Sequence, residues 1–143
     1  MALLNYNRSI ITNEVDTPGF SVELTGVDQL ILEFGLFVPQ ASNFIELLST
    51  IGWQVTNPST VEPDQATIAL TIKEDGAVVA SVDQESIEDG PDTDLEMVTT
   101  FQAVLTNVPV GHHVYQLFAR NLQTVQGTIT LTGPANISGK VIG

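Results

Sequence analysis

The sequence predicts an all-β chain folded as an antiparallel sandwich. Three observations carry this. Apolar residues recur at every second position in most segments, turn-forming clusters interrupt the chain at short intervals, and no stretch shows the spacing of a long helix. The best helical candidate, Gln40 to Leu48, contains Ser42, Asn43, Phe44 and Ile45 and reads equally well as extended. About ten short strands with frequent turns imply a sandwich, barrel or jelly roll.

The elements follow in order. The opening MALLNYNRSIIT places Leu3, Leu4, Tyr6, Ile10 and Ile11 among Asn5, Asn7, Ser9 and Thr12, residue types that favour an extended strand. DTPG (16–19) is a candidate hinge, built on Asp16, Pro18 and Gly19. It divides the chain into an arm with hinge, residues 1–18, and a β domain, residues 19–143. Phe20, Val22 and Leu24 then alternate with Ser21, Glu23 and Thr25, Leu30, Leu32 and Phe34 alternate with Ile31, Glu33 and Gly35, and Ile51, Trp53 and Val55 follow in the same register. Thr67–Lys73 and Ala77–Asp83 flank Asp75-Gly76, a pair suited to the left-handed conformations of a tight hairpin turn. NPSTVEPD (57–64) and EDGPDTD (88–94) read as polar loops. Phe101, Ala103 and Leu105 mark a further strand, and VPVGHH (108–113) turns into another. Ile129 and Leu131 form the next, and LTGPAN (131–136) predicts a turn into Ile137–Ile142.

Charge excludes some functions. Seventeen acidic residues face four basic ones, Arg8, Lys73, Arg120 and Lys140, for a net charge of −13. Such a chain repels phosphate backbones and anionic bilayers, so neither nucleic acid nor membrane is an expected partner. Self-association must overcome the same repulsion and should strengthen with salt. There is no cysteine, hence no disulfide and no thiolate chemistry. The N-terminus lacks the basic start of a signal peptide, and Asn5, Asn7 and Arg8 break its apolar run. The expectation is release by lysis of the producing cell.

Candidate sites are few. His112 and His113 are the only histidines. Adjacent strand residues point to opposite faces, so the two cannot readily chelate one ion within a chain. EDGPDTDLE gathers carboxylates, of which Asp89, Asp92 and Asp94 are calcium candidates, but without EF-hand spacing. The plainer reading is a solvated loop. No nucleophile elbow, phosphate loop or dinucleotide fingerprint is present, and no sequence feature selects a catalytic carboxylate pair. An enzyme is not expected, nor a cofactor. Trp53, Tyr6, Tyr115 and the six phenylalanines are aromatic candidates for a sugar-binding face, though a lone Trp in an alternating strand is usually core.

The second half resembles a known family. TIALTIKEDGAVVASV, TTFQAVLTNVPVGHHVYQLFARN and the terminal GTITLTGPANISGKVIG follow the order of C1q/TNF-like jelly rolls, particularly those on spore surfaces of endospore-forming bacteria. Gly111, His113, Tyr115 and Leu117 match the family's Gly-x-His-x-Tyr-x-Leu strand. The resemblance covers about Gly19 to Gly143 and lacks the collagen-like stalk of many exosporium proteins. It implies a C1q/TNF-like jelly roll close to an endospore appendage subunit, but without the cysteines of the best-known appendage arms.

The resulting expectation is a non-enzymatic structural subunit. Homotrimers would stack into a filament of the spore surface, outside the cell, with a possible anchoring or tip protein as further partner. Leu3, Leu4, Tyr6, Arg8, Ile10 and Ile11 would dock into a neighbouring subunit by strand addition, and Asp16, Pro18 and Gly19 would form the hinge. An ordinary first strand of the chain's own domain is the plainer alternative for the arm. The alternative function is a trimeric binding module, lectin-like or a phage receptor-binding head.

Overall fold

The computed structural model describes residues 1–59, 65–87 and 94–143. Among these residues it contains nine strands and one 3₁₀ turn, Thr124–Gln126. The strands are β1 (Leu3–Thr12), β2 (Val22–Glu23), β3 (Gln29–Val38), β4 (Phe44–Thr56), β5 (Thr67–Glu74), β6 (Ala77–Glu85), β7 (Leu95–Leu105), β8 (Gly111–Asn121) and β9 (Thr128–Ile142). One sheet runs β1-β9-β4-β7, with β2 added beside β9, and the other runs β3-β8-β5-β6. All the pairings are antiparallel. Among the described residues only β5 and β6 are joined by a hairpin; the other ladders pair strands remote in sequence. The fold is a jelly-roll β-sandwich.

The period-two pattern builds the core. Ile45, Leu47, Ile51, Trp53 and Val55 of β4 turn inward, as do Ile68, Leu70 and Ile72 of β5 and Tyr115, Leu117 and Ala119 of β8. Ile129, Leu131, Ile137 and Val141 complete the layer from β9. The Phe34 and Tyr115 rings stack across neighbouring strands, with centroids 5.5 Å apart. The hairpin forms as expected: Asp75 and Gly76 both have positive φ, 49° and 90°, the geometry whose twist suits flanking strands.

Three expectations change. Gln40–Leu48 is neither helical nor wholly extended, because β4 starts at Phe44 after a turn in which Asn43 Oδ1 accepts the Gln40 N–H. Of the Phe20–Thr25 run, only Val22–Glu23 is a strand, and the Leu24 N–H adds one bond to the Ile129 carbonyl of β9 (2.8 Å). LTGPAN does not separate two strands. It is an irregularity inside β9, where Gly133 has φ 98° and β4 breaks register between Ile51 and Trp53. Gly52 lies at that break, and a side chain there would strike the Gly133 carbonyl.

Each side of the sandwich brings two edge strands together, and polar side chains close both seams. On one side, Trp53 Nε1 donates to Thr99 Oγ1 (2.9 Å), and Thr99 donates on to Gln84 Oε1 of the facing sheet. On the other, β1 lies against β3. Asn5 Nδ2 donates to the Phe37 carbonyl (3.1 Å), and Asn7 Nδ2 donates to that of Gly35 (2.7 Å). The same amides accept the Tyr6 and Arg8 backbone N–H groups through Oδ1, both at 2.9 Å. Free strand edges invite pairing with other chains. Here two side chains occupy donors of one edge and acceptors of the other.

Candidate functional site

The segment read as an arm is β1. It pairs with β9 of its own chain from Leu3↔Ile142 to Thr12↔Ala135. In the single chain, then, these residues form an edge strand of the domain rather than a projecting arm. The physical reason is the ladder itself, which satisfies one side of the β1 backbone, while Asn5 and Asn7 attach the strand to β3. The residues between β1 and β2 form a tied turn. Thr12 Oγ1 accepts the Glu14 N–H (3.0 Å) and lies 2.6 Å from Thr17 Oγ1, which donates to the Glu14 carbonyl (2.8 Å). Asp16 and Gly19 have positive φ, 53° and 82°, and Pro18 is exposed between them.

β1 contributes to an exposed face that the sequence did not single out. Strand registers place three rows across the outside of the five-stranded sheet. These are Tyr6–Lys140–Glu46–Val104, Arg8–Ser138–Leu48–Gln102 and Ile10–Asn136–Thr50–Thr100. Tyr6, Ile10, Leu48 and Val104 are each between 43% and 58% exposed, and Val98 lies one step further along β7 at 55%. A depression of about 270 Å³ lies among Tyr6, Leu48 and Lys140. The Arg8 guanidinium stands 5.9 Å from the Tyr6 ring centroid. Within these rows Arg8 and Lys140 meet a single acid, Glu46, so the patch is locally +1 on a chain of net charge −13. Leu3, Leu4 and Ile11, named with these residues from sequence, are also exposed. Leu48 was legible in principle, since it occupies the outward phase of β4 where Glu46 and Thr50 are polar.

A second cluster closes one end of the sandwich. His113 is buried at 8% exposure, whereas His112 is exposed on the opposite side of β8 with its ring over Gly35. His113 Nδ1 lies 2.6 Å from Asp75 Oδ2, and Nε2 lies 2.6 Å from the Pro109 carbonyl oxygen. Asp75 Oδ1 accepts the Val114 N–H (2.8 Å), and the Tyr115 hydroxyl donates to Glu74 Oε2 (2.7 Å). Glu74, Asp75 and His113 carry donor atoms suited to a cation, within 4.8 Å of one another. The spacing decides what sits there. Two ligands of one tetrahedral ion at about 2.0–2.1 Å stand about 3.3 Å apart. The 2.6 Å between Nδ1 and Oδ2 fits a shared proton.

The hydrogen bond from Val114, then that from His113, holds the Asp75 carboxyl below its usual range. Burial alone would lower the His113 pKa. The hydrogen bonds to Asp75 and Pro109 outweigh it, with the Asp75 and Glu74 charges, and raise the value above 6.5. Burial and the bond to Glu74 push Tyr115 far up.

Of the calcium candidates, Asp94 is exposed, and Asp89 and Asp92 lie outside the described residues. Of the aromatic candidates, Trp53 and Tyr115 are buried in the core, while Tyr6 and Phe37 are exposed.

No protein-family model and no curated protein sequence matches the chain. Solved structures do resemble it. Eiger TNF from S. frugiperda aligns over 97% of this chain and 94% of that one, at 11% identity and a TM-score of 0.49. Dimeric latent PorU from Porphyromonas gingivalis aligns over 99% of this chain at 12% identity and a TM-score of 0.53. The insecticidal delta-endotoxin Cry8Ea1 from Bacillus thuringiensis aligns over 86% at 9% identity and a TM-score of 0.47. This chain spans 13% of the PorU chain and 19% of the endotoxin chain. At such identities the likeness is one of fold. The likeness agrees with the two-sheet antiparallel jelly roll that the strand order itself defines.

Proposed function

We propose that the chain is a self-assembling structural subunit whose copies meet through the outer face of the five-stranded sheet. The carrying observation is the patch of Tyr6, Ile10, Leu48 and Val104 around Arg8 and Lys140. Exposed apolar side chains gathered on one sheet face, with polar and charged ones between them, offer an interaction surface. A second copy fits the charge. A patch at +1 on a chain of −13 is attracted to the acidic remainder of a neighbour, so the contact is heterologous. Heterologous contacts close into rings, such as the homotrimer, or run on into filaments.

The resemblance of GHHVYQL and its flanks to spore-surface jelly rolls supplies the setting: a fibre or layer on the spore surface, outside the cell, with an anchoring or tip protein at its end. β1 takes part as the edge of this face. Exchange of β1 into a neighbouring subunit would use the ladder with β9 that it makes at home. The protein acts without catalysis and without a cofactor in this reading.

The test is sedimentation velocity and negative-stain microscopy of the full chain beside two variants, Leu48→Asp/Val104→Asp and Leu4→Asp/Ile10→Asp. All four residues are exposed, so the fold should survive, as circular dichroism can check. Trimers or fibres from the wild type, lost in the first variant, are expected. Loss in the second variant as well assigns β1 to the contact. Wild-type assembly unaffected by either pair would sink the proposal.

A further inference from the structure

His113 is buried, yet both of its ring nitrogens face acceptors: Asp75 Oδ2 at Nδ1 and the Pro109 carbonyl oxygen at Nε2. An ionised carboxylate and a carbonyl have no proton to give. A neutral imidazole has one N–H, so it would serve one partner and turn a lone pair toward the other. The doubly protonated ring serves both.

The two partners belong to separate elements. Asp75 opens the β5–β6 turn, and Pro109 lies in the loop 106–110 between β7 and β8. Asp75 is also fixed to β8 without the ring. Its N–H donates to the Val114 carbonyl (2.8 Å), and its Oδ1 accepts the Val114 N–H (2.8 Å). The link from the turn to Pro109 therefore runs through the imidazole. When one proton leaves, the charged carboxylate keeps the remaining N–H more strongly than a neutral carbonyl does. The Pro109 contact is the one released.

We propose that His113 is a proton-operated latch, which as the imidazolium fastens the 106–110 loop to the β5–β6 turn and on losing its proton lets the loop go. The surroundings favour the charged ring. Glu74 and Asp75 face it from β5 and the turn, and Tyr115 and His112 flank it on β8. The loop 106–110 and the paired Leu36 of β3 carry no ionisable side chain. Because the folded pKa is raised above 6.5, the latch contributes fully below that pH. The contribution is lost as pH rises through the folded value. The loop leaves β7 beside Ile45, at the end of the sandwich where β1 begins and β9 finishes. The latch thus bears on that end of the subunit and stands independently of any self-association.

Nitrogen-15 NMR of labelled histidine in the full chain, between about pH 5 and about pH 9, reads the ring directly. A His112→Gln variant assigns the signals. The expected result is two protonated nitrogens at pH 6.5, a midpoint above 6.5 and a lower midpoint in Asp75→Asn. Backbone amides of Val108 and Val110 should move with that same midpoint. A neutral ring at pH 6.5 would overturn the latch, as would loop amides that ignore the ring's titration. The wild-type measurement decides the matter even if Asp75→Asn fails to fold.

Discussion

The Asn7 side chain joins two strands that share no ladder: its Nδ2 donates to the Gly35 carbonyl of β3 at 2.7 Å, while its Oδ1 accepts the Arg8 N–H of β1 at 2.9 Å. Asn5 repeats the arrangement with Phe37 and Tyr6. An asparagine offers a donor and an acceptor on one rigid amide. Two of them, two residues apart on a strand, reach the same side. The Asn5→Ala/Asn7→Ala variant should lose about 1–3 kcal/mol in urea unfolding, because the two bonds to β3 are exposed and each is worth about 0.5–1.5 kcal/mol net. It also frees edge donors on β1 and edge acceptors on β3. Light scattering should show more aggregation than in the wild type.

The opposite seam should cost more to break. Thr99 Oγ1 is buried and serves Trp53 Nε1 and Gln84 Oε1 together. Thr99→Val keeps the shape and strands both partners. The expected loss is about 2–4 kcal/mol, read by chemical denaturation followed through the single tryptophan.

Gly52→Ala should be among the most damaging single changes. Its methyl group would meet the Gly133 carbonyl of the neighbouring strand, which is backbone and cannot rotate away. A cost above about 4 kcal/mol is expected, seen as loss of soluble folded protein. Gly19→Ala meets no atom within 4 Å and tests only the positive φ of 82°. About 1 kcal/mol is expected there.

Tyr115 sets an alkaline limit. Its hydroxyl is pushed up by burial and by the bond to Glu74. The neutral form is the one the fold favours, so stability is full below the ordinary tyrosine value of 10.0 and falls as pH rises beyond it. In a Tyr6→Phe background, phenolate absorbance should appear only together with loss of the circular dichroism signal. Phenolate formation in the folded chain would count against the buried pair. At the acid end, the lowered Asp75 pKa makes its contribution full above 3.8 and lost as pH falls through the folded value.

Much of the sandwich was legible, because an inward face writes itself into the sequence at every second residue. Ile68, Leu70 and Ile72 show this, and Asp75-Gly76 fixed the hairpin through backbone sterics alone. What stayed hidden depended on partners distant in sequence. LTGPAN carries local turn chemistry, yet two flanking ladders hold it within one strand, and Gly52 makes the room. β1 has apolar residues on both faces and no strict alternation, so its pattern could not say which edge it joins. The outer patch mixes Leu48 from β4 with Val104 from β7 and Tyr6 from β1; only the registers bring them together. The His113 cluster was hidden for the same reason, since Asp75 and Pro109 approach it from different loops.

The pairing of the first strand with the last has a consequence for synthesis. Thr12 leaves the ribosome long before Thr128, where β9 begins. At about 5–20 residues per second, that delay is roughly 6–23 s. During it β1 has no ladder partner within its own nascent chain, while completed copies nearby already carry their β9 strands. Polysome spacing and local concentration therefore compete with chain completion for the first strand.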